Sequence, residues 1–220
     1  MGEAPPSPTA SRNPTVYFGY GSNLWRDQMR RRCPKSEFLG IARLDRYSWI
    51  INSRGYANVV EILGKSSAQL GADDEVGSAG RSYADQVWGL VYRLQPTDEE
   101  RLDQNEGVPI AYTKEWLECD FWAHDDDDDG DDGQSGIDKS HKDPKKVDML
   151  VYIDRTKTKP DKPKQEYIYR MNQGIKDALA AGVPEKYVQE VMRKFIPDMV
   201  LVDGVREVAV EQAERFIDGR

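Results

Sequence analysis

Strand-type segments crowd the first two-thirds of this chain and amphipathic helices the last third, and that segregation constrains its architecture more than any other feature. Val16 to Tyr20, Phe38 to Leu44, Tyr47 to Ile51, Asn58 to Leu63, Gln86 to Leu94, Ala111 to Trp122 and Met149 to Ile153 read as strands. Tyr167, Ile168, Met171, Ile175, Ala178 and Leu179 mark one helical face, and Tyr187, Val188, Val191, Met192 and Phe195 another that starts near Pro184. Residues 205–217 form a third amphipathic stretch, and 24–32 a short helix. Thr97 stands three residues before Glu100, a capping-box pattern that predicts a helix to about Asn105, stopped by Gly107 with Pro109 beyond. No regular βαβ alternation is present. The pattern predicts an α+β fold, with the strands in one small, mostly antiparallel sheet or barrel flanked by helices.

With 220 residues the chain is long enough for one well-packed domain and short for two. Residues 1–14 read as a Pro/Ser-rich disordered tail, and 15–220 as a single domain carrying a charged, low-complexity insertion at about 124–146; residues 64–85 read as a further loop. Of the net charge of −8, seven units come from Asp125 to Asp129, Asp131 and Asp132. Without that run the domain is near neutral, which argues against a nucleic-acid-binding face. Arg30, Arg31 and Arg32 form the one compact basic patch and read as solvated helix surface. No apolar run of membrane-spanning length or signal-peptide pattern is seen, and two cysteines, Cys33 and Cys119, read as free thiols. A reducing, cytoplasmic setting without membrane contact is the expectation.

Two segments carry chemistry. The first apolar strand runs into Gly19-Tyr20-Gly21-Ser22-Asn23. Two glycines at a strand end let backbone approach a ligand and turn N–H groups toward an anion or a developing oxyanion. From the residues alone, a purely structural turn stands equally with an anion-binding one. A dinucleotide loop fails because the third glycine is missing, and a phosphate loop because no Gly-Lys-Ser/Thr follows. The second segment is Glu106 beside Gly107, at the C-terminal end of the predicted helix. The helix dipole raises a carboxyl pKa there, so Glu106 is either a general acid/base candidate or a solvated helix-end glutamate. His124 and His141 lack metal-ligand spacing. Asp125, Asp127 and Asp129 mimic the start of a calcium loop whose twelfth position is Gly136 instead of Glu. No metal site is predicted.

Tyr20-Gly21-Ser22-Asn23-Leu24 at the end of the first strand resembles the signature of the γ-glutamylcyclotransferase family. Gln86-Val87-Trp88-Gly89-Leu90-Val91-Tyr92 is similar to the family's central strand, and Leu102-Asp103-Gln104-Asn105-Glu106-Gly107-Val108 to its catalytic helix end. Ala111-Tyr112, Tyr152, Tyr167 and Gly174 continue the likeness in order. The resemblance spans roughly 16–45, 86–122 and 147–190. It implies a small β-barrel with flanking helices, often dimeric, and an enzyme that needs no cofactor and no metal. The implied reaction closes the γ-glutamyl unit of a small-molecule γ-glutamyl amino acid into 5-oxoproline and frees the amino acid. Sibling reactions on γ-glutamyl-amines or glutathione, and a non-catalytic γ-glutamyl-binding module, share these motifs. By the same resemblance Glu106 is the acid/base. Tyr17, Phe18, Gly19, Tyr20, Gly21, Ser22, Asn23, Tyr112, Tyr152 and Tyr167 hold the substrate.

Overall fold

The computed structural model describes residues 13–63, 82–124, 143–198 and 205–214. The expected N-terminal tail, most of the 64–85 loop and the acidic run lie outside the described residues. The strands are β1 (Thr15–Gly19), β2 (Glu37–Asp45), β3 (Tyr47–Ile51), β4 (Ala57–Glu61), β5 (Gln86–Leu94), β6 (Thr113–Ala123) and β7 (Lys145–Ile153). The helices are α1 (Arg26–Arg32), α2 (Pro96–Asn105), α3 (Gln165–Ala180), α4 (Glu185–Glu190) and α5 (Val205–Glu214). Five strands close a barrel in the order β1-β5-β2-β6-β7, and β3 and β4 form a separate hairpin. The barrel seam is parallel, with Tyr17 facing Leu150, while the other pairings are antiparallel.

β5 is central because it is apolar on both faces: Val87, Leu90, Val91 and Leu94 are fully buried. α3 lays Tyr167, Ile168, Met171, Ile175 and Ala178 into the same core, as the 3.6-residue period predicts. Its close approach depends on Gly174. A Cβ there would stand 2.8 Å from Leu24 Cβ and 2.9 Å from the Trp25 backbone nitrogen. Gly174 thus seats α3 against the turn that follows β1.

Three local expectations are corrected. β7 starts at Lys145, inside the stretch read as loop, because its first residues are polar and give no apolar signal. Ladder pairing to Phe121 and the Lys146–Asp120 contact at 2.7 Å define it instead. The capping box does not form: Pro96 opens α2, Gln95 is the N-cap, and no side chain caps it. The helix face expected to run through Phe195 is broken after Glu190 into α4 and a 3₁₀ turn, Met192–Lys194.

Candidate active site

One cavity, about 460 Å³ including its open mouth, lies where the post-β1 turn, α1, the β3–β4 hairpin, the end of α2, β7 and α3 meet. Its wall includes Tyr17, Tyr20, Gly21, Ser22, Asn23, Tyr112, Tyr152, Tyr167 and Glu106. Its remaining residues are Arg32, Tyr56, Ala57 and Arg170.

α2 aims Glu106 inward. Leu102 is fully buried, and a residue four positions later shares its helix face. The helix then stops by a Schellman pair: Val108 N–H reaches Asp103 O at 3.0 Å and Gly107 N–H reaches Gln104 O at 3.2 Å. Gly107 sits at φ +65°, where a residue without Cβ is unstrained. Glu106 Oε1 accepts from Asn23 Nδ2 at 3.0 Å and stands 3.9 Å from Arg32 Nη1. Burial raises its pKa above the usual carboxylate value, while Arg32 and the Asn23 hydrogen bond pull it back.

The turn after β1 is held by side chains. Asn23 Nδ2 also donates to Tyr17 Oη at 2.9 Å, and its Oδ1 accepts from Gln28 Nε2 at 2.8 Å and Arg32 Nη1 at 3.2 Å. Gln28 Nε2 reaches Ser22 Oγ at 2.9 Å as well. Gly21 is required for room and not for a left-handed conformation. Its φ is −107°, but a Cβ would meet Tyr167 Oη at 2.9 Å and Ala57 Cβ at 3.2 Å.

The tyrosine hydroxyls differ in what they can still do. Tyr20 donates to Tyr152 O at 2.5 Å, Tyr112 to Ala57 O at 2.9 Å, and Tyr152 to Asp103 Oδ1 at 2.6 Å. Tyr167 Oη does the reverse: it accepts from Ser22 N–H and from Ala57 N–H, each at 3.2 Å. Both its lone pairs are engaged, so its proton is what it has left to offer. Burial pushes its pKa up to about 12, so that proton stays in place near neutral pH.

No family model matches the chain. Two curated relatives, both named gamma-glutamylcyclotransferase, come from Mus musculus and Homo sapiens. Each is 30 % identical to the chain, over 93 and 94 residues respectively. The match takes in 42 % of this chain and 44 % of each relative, so it spans under half their length. Among solved structures, one titled gamma-glutamyl cyclotransferase superposes with TM-score 0.58 at 18 % identity. An uncharacterised protein of Homo sapiens does so with 0.59 at 17 %. In both cases 90 % of this chain and 99 % of the other are covered, and the likeness shows the fold. The chain therefore shares its fold with a γ-glutamylcyclotransferase and is similar in sequence to two others over 93 and 94 residues.

Of the residues that the resemblance to the γ-glutamylcyclotransferase family assigned to substrate, the structure gathers all but two around the cavity. Phe18 is fully buried on the opposite face of β1, with its ring against Gly89 and Tyr20. Gly19 does not line the cavity either. Strand alternation, applied from Tyr17, would have removed Phe18. The basic patch is also corrected. Arg30 and Arg31 are exposed and pair with Asp27, but the Arg32 side chain is only 3 % exposed. It donates to Ala213 O at 2.9 Å and Gln212 O at 3.1 Å, tying the cavity wall to α5. Helical spacing from Gln28 and Met29, both buried, was the available signal for Arg32. Arg170 carried a similar signal, one turn after Tyr167. Tyr56 and Ala57 arrive through the hairpin and had none.

Cys33 and Cys119 are buried, with thiol pKa values pushed up to about 12 chiefly by burial. Among the described residues no group of His, Cys, Asp and Glu side chains is placed to hold a metal ion.

Proposed function

We propose that the protein is a γ-glutamylcyclotransferase acting on γ-glutamyl amino acids, releasing 5-oxoproline and the free amino acid. The observation that carries this reading is Glu106: a carboxyl with a burial-raised pKa, hydrogen-bonded to Asn23 and facing the cavity.

The substrate supplies both reacting groups, so the protein has to fold it and move protons. Holding amine and carbonyl in attacking geometry contributes several kcal/mol, up to roughly 7–11 in ideal cases. Glu106 takes a proton from the substrate α-ammonium. The freed amine attacks the γ-carbonyl carbon and forms the ring C–N bond. The tetrahedral centre collapses, and Glu106 returns the proton to the departing nitrogen as the original C–N bond breaks. The re-ionised Glu106 then takes the second proton from the ring nitrogen, leaving a neutral lactam, and passes that proton to the free amine, which departs as ammonium. A glutamate of ordinary pKa is a poor base for an amine, so the upward shift favours the transfer. As the γ-carbonyl oxygen gains negative charge, Tyr167 O–H is the donor directed to it. The hydroxyls of Tyr20, Tyr112 and Tyr152 are committed to protein acceptors and serve as wall and support.

The test is incubation of purified protein with γ-glutamyl-alanine and chromatographic detection of 5-oxoproline with an equal amount of alanine. Glutathione and a γ-glutamyl-amine, run in parallel, rank the sibling substrates. No 5-oxoproline above the uncatalysed rate from any of them would sink the reading.

A further inference from the structure

The charged groups lining the cavity are Arg32, Arg170 and Glu106. Both arginine side chains are only 3 % exposed. Among the described residues Arg170 has an ion pair only with Glu166, although its charge also reaches Glu106, and the closest approach to Glu166 is 3.9 Å. That is too long for a hydrogen bond, and Glu166 Oε1 has no hydrogen-bond partner. Arg170 Nε is buried and unpartnered too, while Nη1 reaches Ser22 Oγ at 3.2 Å and Gln28 Oε1 at 3.4 Å. Its guanidinium carbon lies 5.0 Å from the centre of the Tyr167 ring.

The two guanidiniums converge. Arg32 bonds Asn23, Arg170 bonds Ser22, and Gln28 donates to both of those residues. They also feel each other: after burial, the Arg170 charge is the largest influence lowering the Arg32 pKa, to about 10. The carboxylates facing them, Glu106 for Arg32 and Glu166 for Arg170, each come no closer than 3.9 Å, so among the described residues neither guanidinium is hydrogen-bonded to a carboxylate. Two buried like charges are costly unless an anion completes them. Arginine forks suit a carboxylate in particular.

We propose that Arg170, together with Arg32, receives the α-carboxylate of the glutamyl unit. This rests on the reaction proposed above. There the α-amine meets Glu106, and the α-carboxylate sits on the same carbon as that amine. Asn23 bridges Glu106 to Arg32, so a carboxylate beside that amine falls on the guanidinium side. The consequence is a substrate class: γ-linked glutamyl units with a free α-carboxylate are accepted, and those amidated there are rejected.

Calorimetric binding of 5-oxoproline and of its neutral amide, 5-oxoprolinamide, tests this without turnover. The proteins are wild type, Arg170→Lys and the double variant Glu166→Gln/Arg170→Met, which leaves no unpaired acid behind. Wild type is expected to prefer the acid by roughly 10- to 100-fold, the scale of a charge-assisted pair. The double variant is expected to lose most of that preference while holding the amide as wild type does, and Lys to keep part of it. On γ-glutamyl-alanine the double variant should raise KM far more than it lowers kcat. The proposal is overturned if wild type does not discriminate, or if the double variant discriminates as well as wild type. It is equally overturned if binding of acid and amide falls together, or if the defect disappears with γ-glutamyl-alaninamide, which would put Arg170 on the leaving amino acid. Arg170-dependent preference in a protein that makes no 5-oxoproline would remove the reaction and leave the carboxylate site standing.

Discussion

Glu106 combines two opposing influences, and its variants separate them. Burial favours the neutral form, while Arg32 and Asn23 favour the ionised one, and burial wins. The proposed base must be ionised, so kcat/KM should fall as pH drops through a value above the ordinary glutamate range. A pH–rate profile with its acid limb at the ordinary value would contradict this. Glu106→Gln should lose at least about 10²- to 10⁴-fold in turnover and still bind 5-oxoproline. Its stability follows from linkage. A carboxyl whose folded-state pKa is raised contributes stability that is fully present below its unfolded pKa and lost as pH rises through the folded value. At pH 7 ionised Glu106 is therefore a net cost, and Gln should leave the melting temperature unchanged or raise it. Retention of more than a tenth of wild-type kcat would identify another residue as the base.

Tyr167 tests the hydroxyl accounting. Tyr167→Phe removes the one hydroxyl whose lone pairs are filled by Ser22 and Ala57 amides. If its proton meets the developing oxyanion, kcat should fall about 10²- to 10³-fold with a much smaller change in KM. Tyr112→Phe, whose hydroxyl donates to Ala57 O, should cost stability more than kcat. Similar kcat losses in both variants, measured with thermal melts alongside, would mean that Tyr167 only holds the turn.

At the scale of elements, the site depends on how closely α3 approaches the post-β1 turn. α3 brings Tyr167 and Arg170, and the turn brings Gly21, Ser22 and Asn23. Gly174→Ala puts a methyl 2.9 Å from the Trp25 backbone nitrogen, an atom that cannot swing aside. Overpacking of this kind costs about 1–3 kcal/mol. The helix must move outward and take Tyr167 Oη away from Ser22 N–H. Gly174→Ala should therefore lower both urea-unfolding stability and activity. Unchanged values of both would show that the helix has slack. Gly21 works at the same contact from the other side, where its missing Cβ leaves room for the Tyr167 hydroxyl.

For the whole molecule, β6 and β7 define what surrounds the acidic run. Their register extends to Phe121 opposite Lys145. Removing residues 125–142 and joining the ends with a short Gly/Ser linker leaves that ladder complete. A cut extended through 145 would take the first residue of β7. The shorter deletion is expected to keep stability and kcat/KM within about threefold, because loop-closure entropy depends weakly on length. The assay should pair γ-glutamyl-alanine with γ-glutamyl-lysine. A loss above tenfold on either would give the run a role, and a loss confined to the lysine compound would make that role charge selection.

Much of this architecture is written in local chemistry. Apolar runs placed the strands β1, β3, β4 and β5, and the 3.6-residue spacing from Tyr167 to Ala178 placed α3, because burying one face dictates both periods. The order strands-then-helices was enough for α+β. A glycine turn after a strand and an acid at a helix end were enough to single out Gly21, Asn23 and Glu106 as candidates. What local chemistry could not express is which side chains share a space. The Tyr17–Leu150 seam and the Gly174 contact are long-range, and with the β3–β4 hairpin and the end of α2 they bring residues from 17 to 170 to one cavity. Arg32 stands in a run of three arginines and differs from its neighbours through its contacts with α5, Asn23 and Glu106. Arg170 differs from an exposed helix arginine only because Ser22 and Gln28 meet it. Tyr112 and Tyr167 are equivalent as sequence. One hydroxyl faces a carbonyl and the other faces two amides, so the closed barrel decides that only the second keeps a proton to give.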